Sequence, residues 1–452
     1  MAYAGISPST SRVDLMRIIW ALAWPAIMTF GLESLVGLID ALMVGRLGAA
    51  AVAGVGVGTQ VLHAVAVMNM ALATGTVALV ARHVGAGERQ VAEGVVGQSL
   101  YLAVVMALAI SAPVFVWAPE VVALFRVEPA VQVAGAEFTR AIMFAVPPMA
   151  IVAVISAGLR GAGDMRTPLV IGGLVNLINV VAAYALIFGK FGAPALGVRG
   201  AAVASALAFV VGAGVGLLAL RRPGAALRLG RRHLIPHFAL ARRVVAVGGP
   251  TGLEQLLMQS GFLLYLGIAA HYGTAAVAAY FIGVRILALS FLPGFGFSAA
   301  ASTLVGQQLG AGHPDGAARS AWEANRLAMI LMSAAGILIF VFARPIVTLF
   351  IDDAAVIDDA VSFMHVLALA QPLMAADSTL GGALRGAGDT RFPLLTVIAG
   401  FYGARLGLAW LSAYVLDWSL AWVWGALLGD YLLRAGLKAW RLHGGRWRQI
   451  RV

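Results

Sequence analysis

The chain has 452 residues, of which 61% are hydrophobic and only 11% charged, against about 25% charged in a soluble domain. With a mean hydropathy of +0.92 it has too few polar side chains to cover a water-facing surface, which excludes a soluble globular protein and predicts a polytopic membrane protein. The net charge of +11 lies in loops between apolar runs, as expected beside anionic lipid and not on a nucleic-acid surface, and the lack of cysteine excludes disulfides and thiolate chemistry.

Residues 1–15 read as a polar, cytoplasmic N-terminal segment. The apolar run behind them continues past Leu42 without a small-residue cleavage site, so it reads as a retained helix and not a signal peptide. A spanning helix needs about 20 apolar residues. By that measure the chain is an all-α membrane protein with twelve transmembrane helices, at roughly 16–44, 52–80, 94–117, 134–158, 168–189, 200–220, 244–270, 276–304, 321–343, 357–382, 393–415 and 418–438. The runs lack the period-two alternation of barrel strands, the other structure that satisfies its backbone in lipid. Several are longer than the bilayer, so tilts or kinks are expected.

Sorting the 31 Lys and Arg by side, with the N terminus taken as cytoplasmic, puts 23 on that side and six on the other, with Arg285 and Arg405 inside helices. That excess places both termini in the cytoplasm. The chain also repeats itself. Pro25 and Pro250, LGAAAVAGVGVG (47–58) and YGTAAVAAYFIG (272–283), VGAG (84–87) and LGAG (309–312), RGAGD (160–164 and 385–389), Pro147 and Pro372, and Pro168 and Pro393 are all 225 residues apart. The pattern predicts two pseudo-symmetric six-helix lobes: an N-lobe at 16–220, a basic cytoplasmic linker at 221–243, a C-lobe at 244–438 and a basic tail at 439–452. An even number of spans per copy makes the repeats parallel, with a substrate cavity expected between them. RGAGD reads as structural, its glycines ending a helix and its Arg and Asp pairing.

Inside the apolar runs lie Glu33, Asp40, Glu254 and Asp377, with Asp430 nearer a helix end. A charge at the bilayer centre costs at least about 2.5–3.5 kcal/mol on insertion scales, so such acids are functional candidates facing a cavity. Removal from water disfavours the charged form of a carboxylate, which lets a buried acid exchange protons near neutrality. Asp40 is the leading candidate. Glu33 precedes it by seven residues, two helical turns and about 10.5 Å along one face, and reads equally as a second station on a cavity wall or a solvated vestibule residue. Gln255 and Gln259, beside and one turn beyond Glu254, are candidates for bonding substrate. Met and Phe, at 15 and 20 residues, suit adaptable apolar walls.

The twin RGAGD motifs followed by Pro168 and Pro393, LIDALMVGRLG (38–48), NVVAAYALIFG (179–189) and GGPTGLEQLL (248–257) resemble the multidrug and toxic compound extrusion (MATE) family over essentially the whole chain. Glu directly after PTGL resembles its bacterial DNA-damage-inducible (DinF-like) branch more than the NorM-like branch. The resemblance implies efflux of amphipathic or cationic organic compounds driven by inward proton or sodium flow, with no organic cofactor. It carries a coupling aspartate onto Asp40, a helix kink onto Pro25, and cation or proton positions onto Glu254 and Asp377. Many relatives place an Asp four residues after the Asn matched by Asn179, where this chain has Ala183. Asn179, Ser205 and Asp40 remain as oxygen donors in the first lobe. The missing carboxylate favours protons over sodium there, while the second-lobe pair can still take sodium.

The expected protein is therefore a multi-pass antiporter of a bacterial inner membrane, monomeric, working by alternating access on drug-like small molecules, with no bound metal. No G-x-x-x-x-G-K-[ST] phosphate loop is present. A lipid-linked oligosaccharide flippase of the same superfamily is the alternative, although extra spans and cavity cations are missing beyond Arg285 and Arg405. A membrane lipid-modifying enzyme would need catalytic groups clustered at one interface. The nearest candidate, DDAAVIDD (352–359), falls outside and lacks nearby basic residues.

Overall fold

The computed structural model describes residues 11–450, and every regular element among them is helical. The helices are α1 (Arg12–Gly45), α2 (Ala49–Gly85), α3 (Arg89–Val116), α4 (Ala118–Ala123), α5 (Pro129–Ile142), α6 (Val146–Gly161), α7 (Arg166–Phe188), α8 (Val198–Ala219) and α9 (Phe238–Ala270). They continue with α10 (Thr274–Ser290), α11 (Leu292–Gly310), α12 (Pro314–Val341), α13 (Ala343–Thr348), α14 (Ala354–Gly386), α15 (Arg391–Val397), α16 (Gly407–Trp410) and α17 (Leu420–His443). Two π-helical stretches, Ile398–Leu406 and Leu411–Val415, flank α16 and make one winding run from Arg391 to Val415.

Ten of these runs are long and apolar enough to cross a membrane, or eleven if the bent pair α5–α6 is one span. The run expected as a single helix at 134–158 is broken between Ile142 and Val146 and bent by 51°. Pro147 and Pro148 explain the break. In the first turn of α6 their missing N–H groups are harmless, but they cannot continue the hydrogen bonding of α5. The run expected at 418–438 is α17, long enough at 24 residues but carrying Asp430, Arg434, Lys438 and Arg441.

The chain divides into two compact units. One holds residues 28–248; the other holds residues 11–27 together with 249–450. The division of α1 falls two residues after Pro25, and that of α9 falls just before Pro250. In the first unit α2 packs on α3, α5 and α6, and α7 pairs with α8. In the second, α14 is the hub, contacted by α10, α11, α12 and α17. Glycines permit the closest approaches: a Cβ on Gly400 would lie 2.3 Å from Arg434 Cγ and 2.6 Å from Asp430 Oδ1.

Candidate functional site

In the first unit three residues from three helices meet. Asp40 of α1 is half-buried, and Asn179 of α7, which is buried, directs its side-chain NH2 at both carboxylate oxygens, at 3.1 and 2.8 Å. Ser205 of α8 donates to Asn179 Oδ1 at 2.9 Å and also to Ala201 O at 3.2 Å. These three residues, selected in sequence as first-lobe oxygen donors, form one hydrogen-bonded chain. Ala183, one turn beyond Asn179, is buried and supplies no oxygen from its side chain. No Lys, Arg or His forms an ion pair with Asp40 among the described residues. Glu33 stands apart from the triad. It is exposed and interacts electrostatically with Arg160 of the first RGAGD.

The acids of the second unit are placed differently. Glu254 of α9 is buried and receives Arg385 Nη1 at 3.3 Å on each oxygen. Asp377 of α14 is 2% exposed, with Arg434 Nη2 2.7 Å from Oδ2 and Lys438 Nζ donating to Oδ1. Asp430, with no exposed surface, pairs with Arg405 at 2.8 Å and lies 3.9 Å from Arg434. Arg405 Nε finds no acceptor among the described residues. Instead its guanidinium lies 4.4 Å from the Phe401 ring centre, 5.2 Å from Tyr431, 5.7 Å from Tyr265 and 5.9 Å from Phe262, an arrangement that favours a desolvated cation. Gln255 is half-buried and Gln259 exposed.

Three sequence expectations need revision. The Arg and Asp of the second RGAGD do not pair: Arg385 goes to Glu254, and Asp389 accepts from Arg441 Nε at 2.8 Å. In the first copy Asp164 accepts from the backbone N–H of Arg166 and Thr167 and from the Thr167 hydroxyl, fastening the start of α7. Arg434 and Lys438, counted among the cytoplasmic charges, are buried partners of Asp377. Their signal was available in the spacing, because Asp430, Arg434 and Lys438 stand four residues apart on one face of α17.

A charged group can change protonation cheaply only if that strands no buried counter-ion. Asp40 meets this condition, since a neutral amide holds it. Asp377 does not, because its neutralisation would strand Arg434 and Lys438. Among the described residues no group of three or more His, Asp or Glu side chains is placed to hold a metal ion.

The model of the MatE family matches this chain twice, over 25–185 and 250–411. A probable multidrug resistance protein NorM from Thermotoga maritima is 32% identical over 450 residues, covering 98% of this chain and 96% of that one. A probable NorM from Brucella suis is 26% identical over 444 residues, covering 95% and 93%. The solved structure of an outward-facing multidrug resistance MATE family transporter of the MOP superfamily superposes with a TM-score of 0.88 at 22% identity, covering 97% of this chain and all of that one. The DinF-like branch rests on the PTGLE motif alone. The double match and the full-length similarity establish that this chain belongs to the MATE transporter family.

Proposed function

We propose that the protein is a secondary multidrug antiporter of a bacterial inner membrane that exports amphipathic organic cations in exchange for protons by alternating access. Asp40 is the coupling group, and Asn179 and Ser205 position it. In this reading α17 is the twelfth span and α5–α6 the fourth, and both termini are cytoplasmic. With Arg434 and Lys438 taken out of the count, 21 basic residues still face six. The observation that carries the reading is the Asp40 carboxylate held by Asn179 alone, with no cationic partner among the described residues. Such a group can take a proton or release one to make way for a cationic substrate, whereas the acids of α14 and α17 are already neutralised by their neighbours. The absence of a second carboxylate at Ala183 supports protons over sodium at this site, since sodium favours several hard oxygen ligands. One-for-one exchange of a monovalent cation for a proton moves no net charge, so the drive is the pH difference, about 1.4 kcal/mol or tenfold accumulation per unit.

Dye efflux in everted vesicles under separate proton and sodium gradients tests the proposal. Proton-driven efflux is expected in the native chain and in Glu33→Gln, and is lost in Asp40→Asn. An Asp40→Asn protein that exchanges dye for protons at unchanged stoichiometry would overturn it.

A further inference from the structure

The linker between the two repeats forms a built pocket within the first unit. Its floor is the first two turns of α3. There Arg89 donates to the carbonyls of Ala225 and Ala226, and Glu93 accepts the backbone N–H of Arg228 at 2.9 Å. One turn further, the buried Gln98 donates to His233 O at 3.1 Å and Ile235 O at 2.7 Å and accepts from His237 N at 2.8 Å. Gly97 lets the linker close in, because a Cβ there would lie 2.0 Å from His233 O. Residues 89, 93, 97 and 98 thus fasten the linker along the first three turns of α3, and the pocket is ordered before any ligand arrives.

The pocket encloses about 600 Å³ and is lined by Arg89, Arg221, Arg228 and Arg232, with Glu93 and His233 at its base. Four arginines and one carboxylate line it: Arg89 is spent on the Ala225 and Ala226 carbonyls, Arg232 Nε donates to His233 Nε2 at 3.0 Å, and Glu93 is engaged by the Arg228 N–H and lies 3.8 Å from His233 Nε2. The excess is cationic, and guanidinium forks match phosphate oxygens. Immediately beyond the arginines the linker exposes Leu234, Ile235 and Phe238, at 44%, 67% and 83% of their surfaces. Basic residues beside exposed apolar ones are the composition of a segment seated at a lipid interface.

We infer that this pocket binds the phosphate-bearing headgroup of an anionic phospholipid of the cytoplasmic leaflet, with the neighbouring apolar residues resting among the acyl chains. The leaflet assignment rests on the topology proposed above; the binding does not depend on drug transport. Basic pockets on the cytoplasmic side of membrane helices recognise such headgroups. None of these residues belongs to the Asp40 triad or to the charged cluster of the second unit.

The test uses the full-length protein, delipidated in a neutral detergent and titrated with phosphatidylglycerol, phosphatidylcholine or inorganic phosphate while thermal unfolding is followed. Phosphatidylglycerol is expected to raise the apparent Tm by at least about 2 °C, and the other two to leave it unchanged. The triple variant Arg221→Gln/Arg228→Gln/Arg232→Gln should lose most of that shift, whereas Arg326→Gln/Arg391→Gln/Arg446→Gln, with the same charge change elsewhere, should keep it. Should the triple variant fail to purify, Arg221→Gln and Arg228→Gln singly are each expected to lose part of the shift. Equal stabilisation by inorganic phosphate would make the ligand a free anion and overturn the lipid assignment. Equal stabilisation by phosphatidylcholine, or a full shift in the pocket variants, would overturn the site. Vesicle efflux is a separate measurement, so failure of the antiport reading and failure of this one are distinguishable.

Discussion

The offset of 225 residues carries Asp40 onto Tyr265, Ser205 onto Asp430 and Asn179 onto Ala404, the neighbour of Arg405. The second repeat brings Tyr265, Arg405 and Asp430 together, with charges where the first-repeat triad has neutral donors. Where Asp40 meets a neutral amide and a hydroxyl, Tyr265 meets a guanidinium that is itself paired with Asp430. The displacement from Ala404 to Arg405 coincides with the π-helical winding of Ile398–Leu406. A π turn takes in one more residue than an α turn, and such turns are frequent at functional sites. Neighbouring charges extend the difference. Glu254, Asp377 and Asp430 face Arg385, Arg405, Arg434 and Lys438, three acids against four cations. One repeat holds its acid with neutral partners; the other neutralises its acids internally. Duplicated folds can thus separate a responsive site from a fixed one by changing a few residues and one helical winding.

The contrast breaks or sharpens most readily at Asp430. Asp430→Asn leaves Arg405 buried without its counter-ion and should destabilise the protein by about 3–5 kcal/mol, read as a large fall in apparent Tm; a Tm near the native value would show that the second-repeat charges are not interdependent. Asp40→Asn should leave Tm nearly unchanged but uncouple efflux from the proton gradient, so dye accumulation in vesicles falls by about tenfold for each pH unit imposed. Gly400→Ala places a methyl against Arg434 Cγ and should cost about 1–3 kcal/mol of stability by overpacking, with the loss measured in detergent. The smallest effect belongs to Ser205→Ala. It removes one hydrogen bond from Asn179, worth about 0.5–1.5 kcal/mol, and initial efflux rates should fall about two- to tenfold with Tm held. A Ser205→Ala loss as deep as that of Asp40→Asn would make the serine a second coupling group.

Much of this was legible in the residues. Hydrocarbon demands long apolar runs, so composition and run length locate most spanning helices. The duplication is visible as a constant offset, and the two family matches begin at residues 25 and 250. Pro147 and Pro148 marked a helix start, but an average of hydrophobicity does not register a missing N–H, so 134–158 read as one span. The expected run at 418–438 matches α17 in spite of its four charges. Arg434 and Lys438 were counted as cytoplasmic-side charges because their partner Asp377 lies 57 and 61 residues away. Asp40, Asn179 and Ser205 could be selected one by one; their hydrogen bonds join residues 139 and 26 apart.

Local chemistry and periodicity thus sufficed for membrane embedding, helix content, duplication and the short set of acids worth attention, because each depends on solvation of a residue and its near neighbours. Which acids stay available depends on counter-ions brought from distant helices. The energy of a buried charge is set by the groups within a few ångströms of it, and only folding decides which groups those are.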